Sequence, residues 1–236
     1  MLRKFLVFFY IVALSIKIHG SVPPPLFSRV SLSSVKPDSV TERQLLFNGR
    51  IWRSLYSGIL GGEFLFSQNW LNAEVTINDM TFKNIPLRYD IFNDQLITMV
   101  NQGTFVQLNK ELIKGFVLSF ENKKFAFENF ENGSSGSFSG YAQVLYKGNV
   151  SFILKHSKTI KLLAVENRYD EFLEVQTLYI LKNGSFFRIS GKNDLLKIFS
   201  DKELQLKNYI RNNNIKIRKK DPDSFIPVIK FYDNLK

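Results

Sequence analysis

Between Ala73 and Phe130 the chain repeats one pattern: a short run of alternating apolar and polar residues, then Asn, Asp or Gly. The turn signals recur about every eight to twelve residues, a spacing that suits antiparallel strands joined by tight connections. Glu74-Val-Thr-Ile and Met80-Thr-Phe are expected to pair around Asn78-Asp79. The run Leu87 to Phe92 should pair with Gln95 to Val100 around Asn93-Asp94. Asn and Asp suit these positions because they tolerate the left-handed backbone of a tight turn. Val75 and Ile77 would share one face of their strand and Thr76 the other. Phe105 to Leu108 follows, then a short helical turn over Lys110 to Lys114, then Phe116 to Phe120. A turn at Glu121 to Lys124 leads into Phe125-Ala-Phe.

The flanking stretches extend the pattern. Leu45-Leu-Phe and Ile51-Trp52 flank Asn48-Gly49, a hairpin signal. Tyr56 to Gly62 contains Gly58, Gly61 and Gly62 and reads as a loop, with Glu63 to Phe66 as a strand after it. A glycine-rich loop cradles phosphate when it opens a helix; here a strand is expected and no Gly-Lys-Ser/Thr follows, so the loop reads as a turn. Glu131 to Gly140 is rich in Gly and Ser, and is either a linker or a long hairpin loop. Strands are then expected at Tyr141 to Tyr146, Val150 to Leu154, Ile160 to Val165 and Phe172 to Leu181. A turn at Lys147-Gly-Asn separates the first two, and an Asn183-Gly184 hairpin leads into Phe186 to Ile189.

After Ser190 the period changes. Asn193 is placed to cap a helix over Asp194 to Phe199. Ser200-Asp-Lys-Glu203 has capping-box spacing for a second helix reaching about Arg211, with Leu206 and Ile210 one turn apart and Glu203 and Lys207 as an i,i+4 pair. Ser224 is placed to cap a third helix that holds Pro227 in its first turn, with Phe225, Ile229 and Tyr232 along one face. The fold class expected is mainly β within α+β: an antiparallel meander or two sheet units, followed by a small C-terminal helical unit. The divisions are a leader at 21–44, a β unit at 45–130, the Gly/Ser stretch at 131–140, a second β unit at 141–190 and a basic helical unit at 191–236.

The first 20 residues read as a signal peptide. Arg3 and Lys4 precede the apolar run Phe5 to Ile16, and His19-Gly20 offers a small residue at the cut. The run falls short of the roughly 20 residues that a membrane span needs. Val22-Pro-Pro-Pro25 would then start the mature chain in an extended conformation. The chain has no cysteine, so no disulfide supports it and its core must hold it together.

The string from Thr76 to Gln95 contains a turn, an aromatic residue, Pro86-Leu-Arg-Tyr89 and an acidic turn. It resembles a motif of uncharacterised exported β-rich envelope proteins of Gram-negative bacteria. Asp194-Leu-Leu, Lys207-Asn-Tyr-Ile and Phe231-Tyr resemble another part of such proteins. The resemblance implies export to the periplasm or an association with the outer membrane. It brings no catalytic residues with it.

Charge is distributed unevenly. Ser21 to Phe130 carries 11 basic and 10 acidic residues, whereas Glu131 to Lys236 carries 18 and 11. The densest cluster is Lys216, Arg218, Lys219 and Lys220. Such a patch is either a solvated helix face or a contact for an anionic lipid or glycan surface. Export and the lack of a nucleic-acid-binding signature argue against nucleic acid.

Chemistry is sparse. Beyond the first 20 residues there is one histidine, His156, read as an exposed strand-end residue, and Ser157 beside it points to the opposite strand face. One His and no Cys do not make a zinc site, and the Asn/Asp pairs are too short for a calcium loop. Asp90, Asp94, Asp170 and Glu171 are acid–base candidates by residue type alone, with surface carboxylates as the default. No aspartic-protease string and no Gly-x-Ser-x-Gly elbow is present. Asn132, Asn149 and Asn183 begin Asn-x-Ser triplets but read first as turn asparagines. Trp52, Trp70 and Tyr89 could stack on sugars, although packing is the simpler role. The expected function is a non-catalytic binding or assembly role at the envelope, with no catalytic residue, cofactor or metal assigned. The alternatives are a small-molecule carrier of β-barrel type and a carboxylate-based hydrolase.

Overall fold

The computed structural model describes residues 44–101, 103–130, 138–162 and 170–235. The expected signal peptide, nearly all of the leader, most of the Gly/Ser stretch and the latter part of the Ile160 to Val165 strand lie outside the described residues. Eleven strands are seen. They are β1 (Gly49–Ile51), β2 (Leu71–Ile77), β3 (Met80–Asp90), β4 (Gln95–Asn101), β5 (Thr104–Leu108) and β6 (Ile113–Phe120), followed by β7 (Lys123–Asn129), β8 (Tyr141–Lys147), β9 (Ser151–Lys161), β10 (Glu171–Lys182) and β11 (Ser185–Ile189). All belong to one antiparallel sheet, ordered β1-β5-β4-β3-β2-β6-β7-β8-β9-β10-β11. Three helices follow: α1 (Lys192–Ile198), α2 (Glu203–Asn212) and α3 (Ile226–Asp233). No described helix is long and apolar enough to cross a membrane.

The sheet is a mainly antiparallel β body with a small helical C-terminus, as expected from the turn spacing. Of the two arrangements left open, the single sheet is found. Phe127 pairs with Gln143 and Asn129 with Tyr141, so β7 and β8 join across the Gly/Ser stretch. The hairpins at Asn78-Asp79, Asn93-Asp94 and Asn183-Gly184 are present, with Asn78 at φ 53°, Asp94 at 57°, Asn183 at 52° and Gly184 at 76°. The short helical turn is a 3-10 turn at Lys110–Leu112, capped by the Asn109 side chain accepting from the Glu111 N–H at 3.2 Å.

Four local expectations are corrected. Asn48-Gly49 does not form a hairpin: residues 44–46 are helical, and Gly49 to Ile51 pair with Leu108 to Val106 of β5. Gly49 serves close approach instead, since a Cβ there would lie 1.9 Å from the Gln107 carbonyl oxygen. Glu63 to Phe66 is an irregular segment holding one bridge, Phe64 to Asp90, and it ends where Phe66 turns left-handed at φ 62°. The Val150 to Leu154 and Ile160 runs fuse into β9, which places His156 in mid-strand at 3% exposure instead of at an exposed end. Among the helices, α1 begins at Lys192 after Gly191, not after an Asn193 cap. No side chain caps α2 or α3. Ser224 instead closes the preceding loop, accepting from the Arg218 N–H at 2.9 Å and donating to the Asp221 carbonyl at 2.5 Å.

The sheet curls. The Lys158 N–H of β9 donates to the Ile91 carbonyl just beyond β3 at 3.2 Å, although four strands separate β3 from β9 in the sheet order. The inner face of the curl is filled by Val75, Leu87, Leu118 and a cluster of rings, Tyr89, Phe116, Phe127 and Tyr141. The helices cover β8 to β11 through Phe152, Leu154, Leu178 and Ile180, which meet Leu195, Phe199, Leu206, Phe225 and Ile229. Ile153 faces the other way, with Phe138, Ala142 and Phe186.

Asp94 locks the curl. It accepts from the Tyr89 hydroxyl at 2.6 Å, Lys110 Nζ at 2.9 Å, Lys155 Nζ at 2.7 Å and the Tyr141 N–H at 3.2 Å. One turn residue thereby joins β3, the turn before β6, β8 and β9. Burial alone would raise its pKa, but Lys155 and the other donors outweigh that and hold the carboxyl below its ordinary value.

Candidate functional site

The outer face of β3, β4, β5 and β1 carries the chain's chemistry. Strand alternation puts Arg88, Ile97, Gln107 and Arg50 on one cross-strand row, because Arg88 pairs with Ile97, Ile97 with Gln107 and Gln107 with Arg50. The segment after β1 and the irregular stretch at Glu63 rise beside this row. Together they form a cleft of about 360 Å³. Arg50 and Arg53 stand at its rim, Trp52 and Tyr56 form an aromatic wall, and Asn93, Gln95 and Gln107 supply amides. Glu63 and Asp90, both buried, also line it.

The two carboxyls differ. Asp90 holds its own turn, accepting from the Phe92 and Asn93 N–H groups at 2.9 Å each and from Asn93 Nδ2 at 2.8 Å. Burial still raises its pKa above the ordinary carboxylate value, against the pull of those donors. Glu63, by contrast, makes no side-chain hydrogen bond to a described residue, and neither do Arg50, Arg53, Gln95 or Gln107. Such groups keep their full capacity for a ligand.

Arg88 stands next to the cleft. Its guanidinium carbon lies 4.1 Å from the Trp70 ring centroid and 5.1 Å from that of Phe64. Trp52 connects the two features, with its ring 5.7 Å from Phe64 and 6.3 Å from Phe105, which in turn lies 5.3 Å from Trp70. Arg88 Nε is buried without an acceptor among the described residues. Leaving such a donor unsatisfied costs about 1–3 kcal/mol. Burial lowers the Arg88 pKa, and the Glu63 charge partly counters this.

The four basic residues singled out from the sequence lie together in the loop between α2 and α3. Lys216, Arg218, Lys219 and Lys220 are all exposed, and none has an ion-pair partner among the described residues. The carboxylate candidates do not converge. Asp90 is in the cleft, Asp94 locks the curl, the Asp170 carbonyl accepts from the Leu60 N–H at 2.9 Å, and Glu171 lies 3.7 Å from Lys161. Of the three aromatics, Tyr89 is buried in the core, Trp70 stacks on Arg88 and Trp52 walls the cleft.

His156 is enclosed. Its Nδ1 lies 3.2 Å from the Glu174 carboxylate and its Nε2 2.9 Å from the Gln143 side-chain oxygen, between the Phe66 and Phe127 rings. The bond from His156 is the main reason that the Glu174 pKa lies below its ordinary value. Among the described residues no three His, Cys, Asp or Glu side chains gather as a metal site.

Sequence reasoning missed Glu63, Arg88 and Gln107 as site residues. Cross-strand register from the hairpins would have put Arg88 beside Ile97, but no local signal joins β1 to β5. Comparison with protein-family models, with curated proteins and with solved structures finds no match to this chain.

Proposed function

We propose that the chain is a non-catalytic exported protein of the cell envelope that binds a ligand in the Trp52 cleft. The observation that carries this is the set of polar side chains there, Glu63, Arg50, Arg53, Gln95 and Gln107, whose hydrogen-bonding capacity no described residue uses. Aromatic walls with a few converging polar groups are the usual form of a small-ligand site. Export rests on the first 20 residues and on the resemblance of Thr76 to Gln95 to exported proteins. The exposed Lys216 to Lys220 loop supplies a second contact, to an anionic lipid or glycan surface.

The test is calorimetric titration of the full protein with short neutral and acidic oligosaccharides. Saturable binding that Trp52→Ala abolishes, with an unchanged circular dichroism spectrum, supports the reading. Binding that survives Trp52→Ala unchanged refutes the cleft as the site.

A hydrolase is the second reading, because Glu63 and Asp90 line one cleft and Asp90 has a raised pKa. The three donors already on Asp90 favour a structural carboxylate instead. Release of reducing sugar, lost in Glu63→Gln, would establish the enzyme. The carrier reading has less support, since packed side chains fill the inner face of the curl.

A further inference from the structure

We infer that Arg88 is the anion anchor of this face, and that the ligand is an anionic sugar whose ring lies against Trp52 while its charged group meets the guanidinium. The inference rests on the reading of the cleft as a ligand site and names the ligand's chemical class.

Three observations carry it. First, rings flank Arg88: Trp70 lies at 4.1 Å and Phe64 at 5.1 Å from the guanidinium, and no described carboxylate lies within ion-pairing distance, although the Glu63 charge acts on it from further off. Second, its N–H donors have no acceptor among the described residues. Nε is buried, while the residue as a whole is only part-buried. A planar fork held rigid with its donors unused fits the two oxygens of a carboxylate or phosphate. Third, the neighbouring groups suit a sugar ring. Trp52 offers an apolar face, the Gln95 and Gln107 amides match hydroxyl groups, and the Glu63 carboxylate accepts hydroxyl protons. The chain's two tryptophans, Trp52 and Trp70, both lie here.

A uronic acid and a sugar phosphate share this chemistry, and the experiment separates them. Because both tryptophans are at the site, fluorescence of the full protein reads occupancy directly. Oligogalacturonate, galactose 1-phosphate and a neutral galacto-oligosaccharide are titrated into wild type, Arg88→Gln, Arg88→Lys and Gln107→Leu, each checked by circular dichroism. One of the two anionic sugars is expected to bind wild type about tenfold more tightly than the neutral one, and Arg88→Gln to erase that preference. Arg88→Lys should restore only part of the preference, because an ammonium keeps the charge but not the fork. If Arg88→Gln unfolds, Arg88→Lys decides: a full anionic preference in that variant overturns the inference. If Gln107→Leu weakens both classes of sugar and Arg88→Gln weakens neither, the cleft stands and the Arg88 assignment falls. If no sugar binds wild type, both fall.

Discussion

Replacing Asp94 with Asn should unfasten the curl of the sheet. The change is nearly isosteric but removes the charge that faces Lys110 and Lys155, and it puts an N–H₂ where an acceptor stood. Asp94 keeps 20% side-chain exposure, Lys155 17% and Lys110 24%, so water screens these pairs only partly. Removing one partner of a buried ion pair costs about 3–5 kcal/mol, and the residual exposure places Asp94→Asn near the lower end, about 3 kcal/mol. With a urea m-value of about 2–3 kcal/mol per molar, the midpoint should fall by about 1–1.5 M. The pH dependence gives a second readout. The Asp94 pKa is depressed in the folded state, so its contribution is fully present above the unfolded value of about 3.9 and is lost as pH falls through the folded value. Wild type should therefore lose stability in acid faster than Asp94→Asn. A midpoint shift below about 0.3 M, which is under 1 kcal/mol at that m-value, or identical acid limbs in the two proteins, would refute the argument.

Two more predictions follow from the geometry. Gly140→Ala should destabilise more than Gly184→Ala: both sites have positive φ, but a Cβ at Gly140 meets Asp94 Oδ2 at 1.9 Å, whereas at Gly184 it meets nothing within 4 Å. Gly184→Ala then measures backbone strain alone, about 1–2 kcal/mol by urea denaturation. At the other end of the chain, replacing Arg218, Lys219 and Lys220 with Gln should weaken sedimentation with anionic vesicles without changing the circular dichroism spectrum. Wild-type binding should fade as salt shortens the Debye length from about 10 Å at 0.1 M to about 3 Å at 1 M; binding that resists salt would point to apolar contacts instead.

Local signals were legible where a turn and its two strands are consecutive. Asn78, Asp94 and Asn183 each sit in the left-handed region that their chemistry favours, and the hairpins form around them. The helical pattern of Leu206 and Ile210 buries those residues as the period implies. What the sequence hid is long-range. Asn48-Gly49 looks like a hairpin until β5 becomes available as a partner. The Asp94 lock uses residues from four separate stretches of chain, and its acid looks like any other turn aspartate. His156 has polar neighbours on both sides in sequence, Lys155 and Ser157, and its burial depends on Gln143 and Glu174 from adjacent strands. Arg88 reads as one charged residue on an alternating strand; only the approach of Trp70 and Phe64 makes it unusual.

The β1 wall of the cleft has a further consequence. Its three strand residues are all exposed, it pairs on one side with β5, and the core clusters omit it. Changes at Arg50 or Arg53 therefore leave the packing that holds the sheet untouched. Selection can alter the recognition surface here one side chain at a time without first finding a compensating change in the interior. The same scaffold is thus free to exchange one ligand for another over generations while its folded body stays constant.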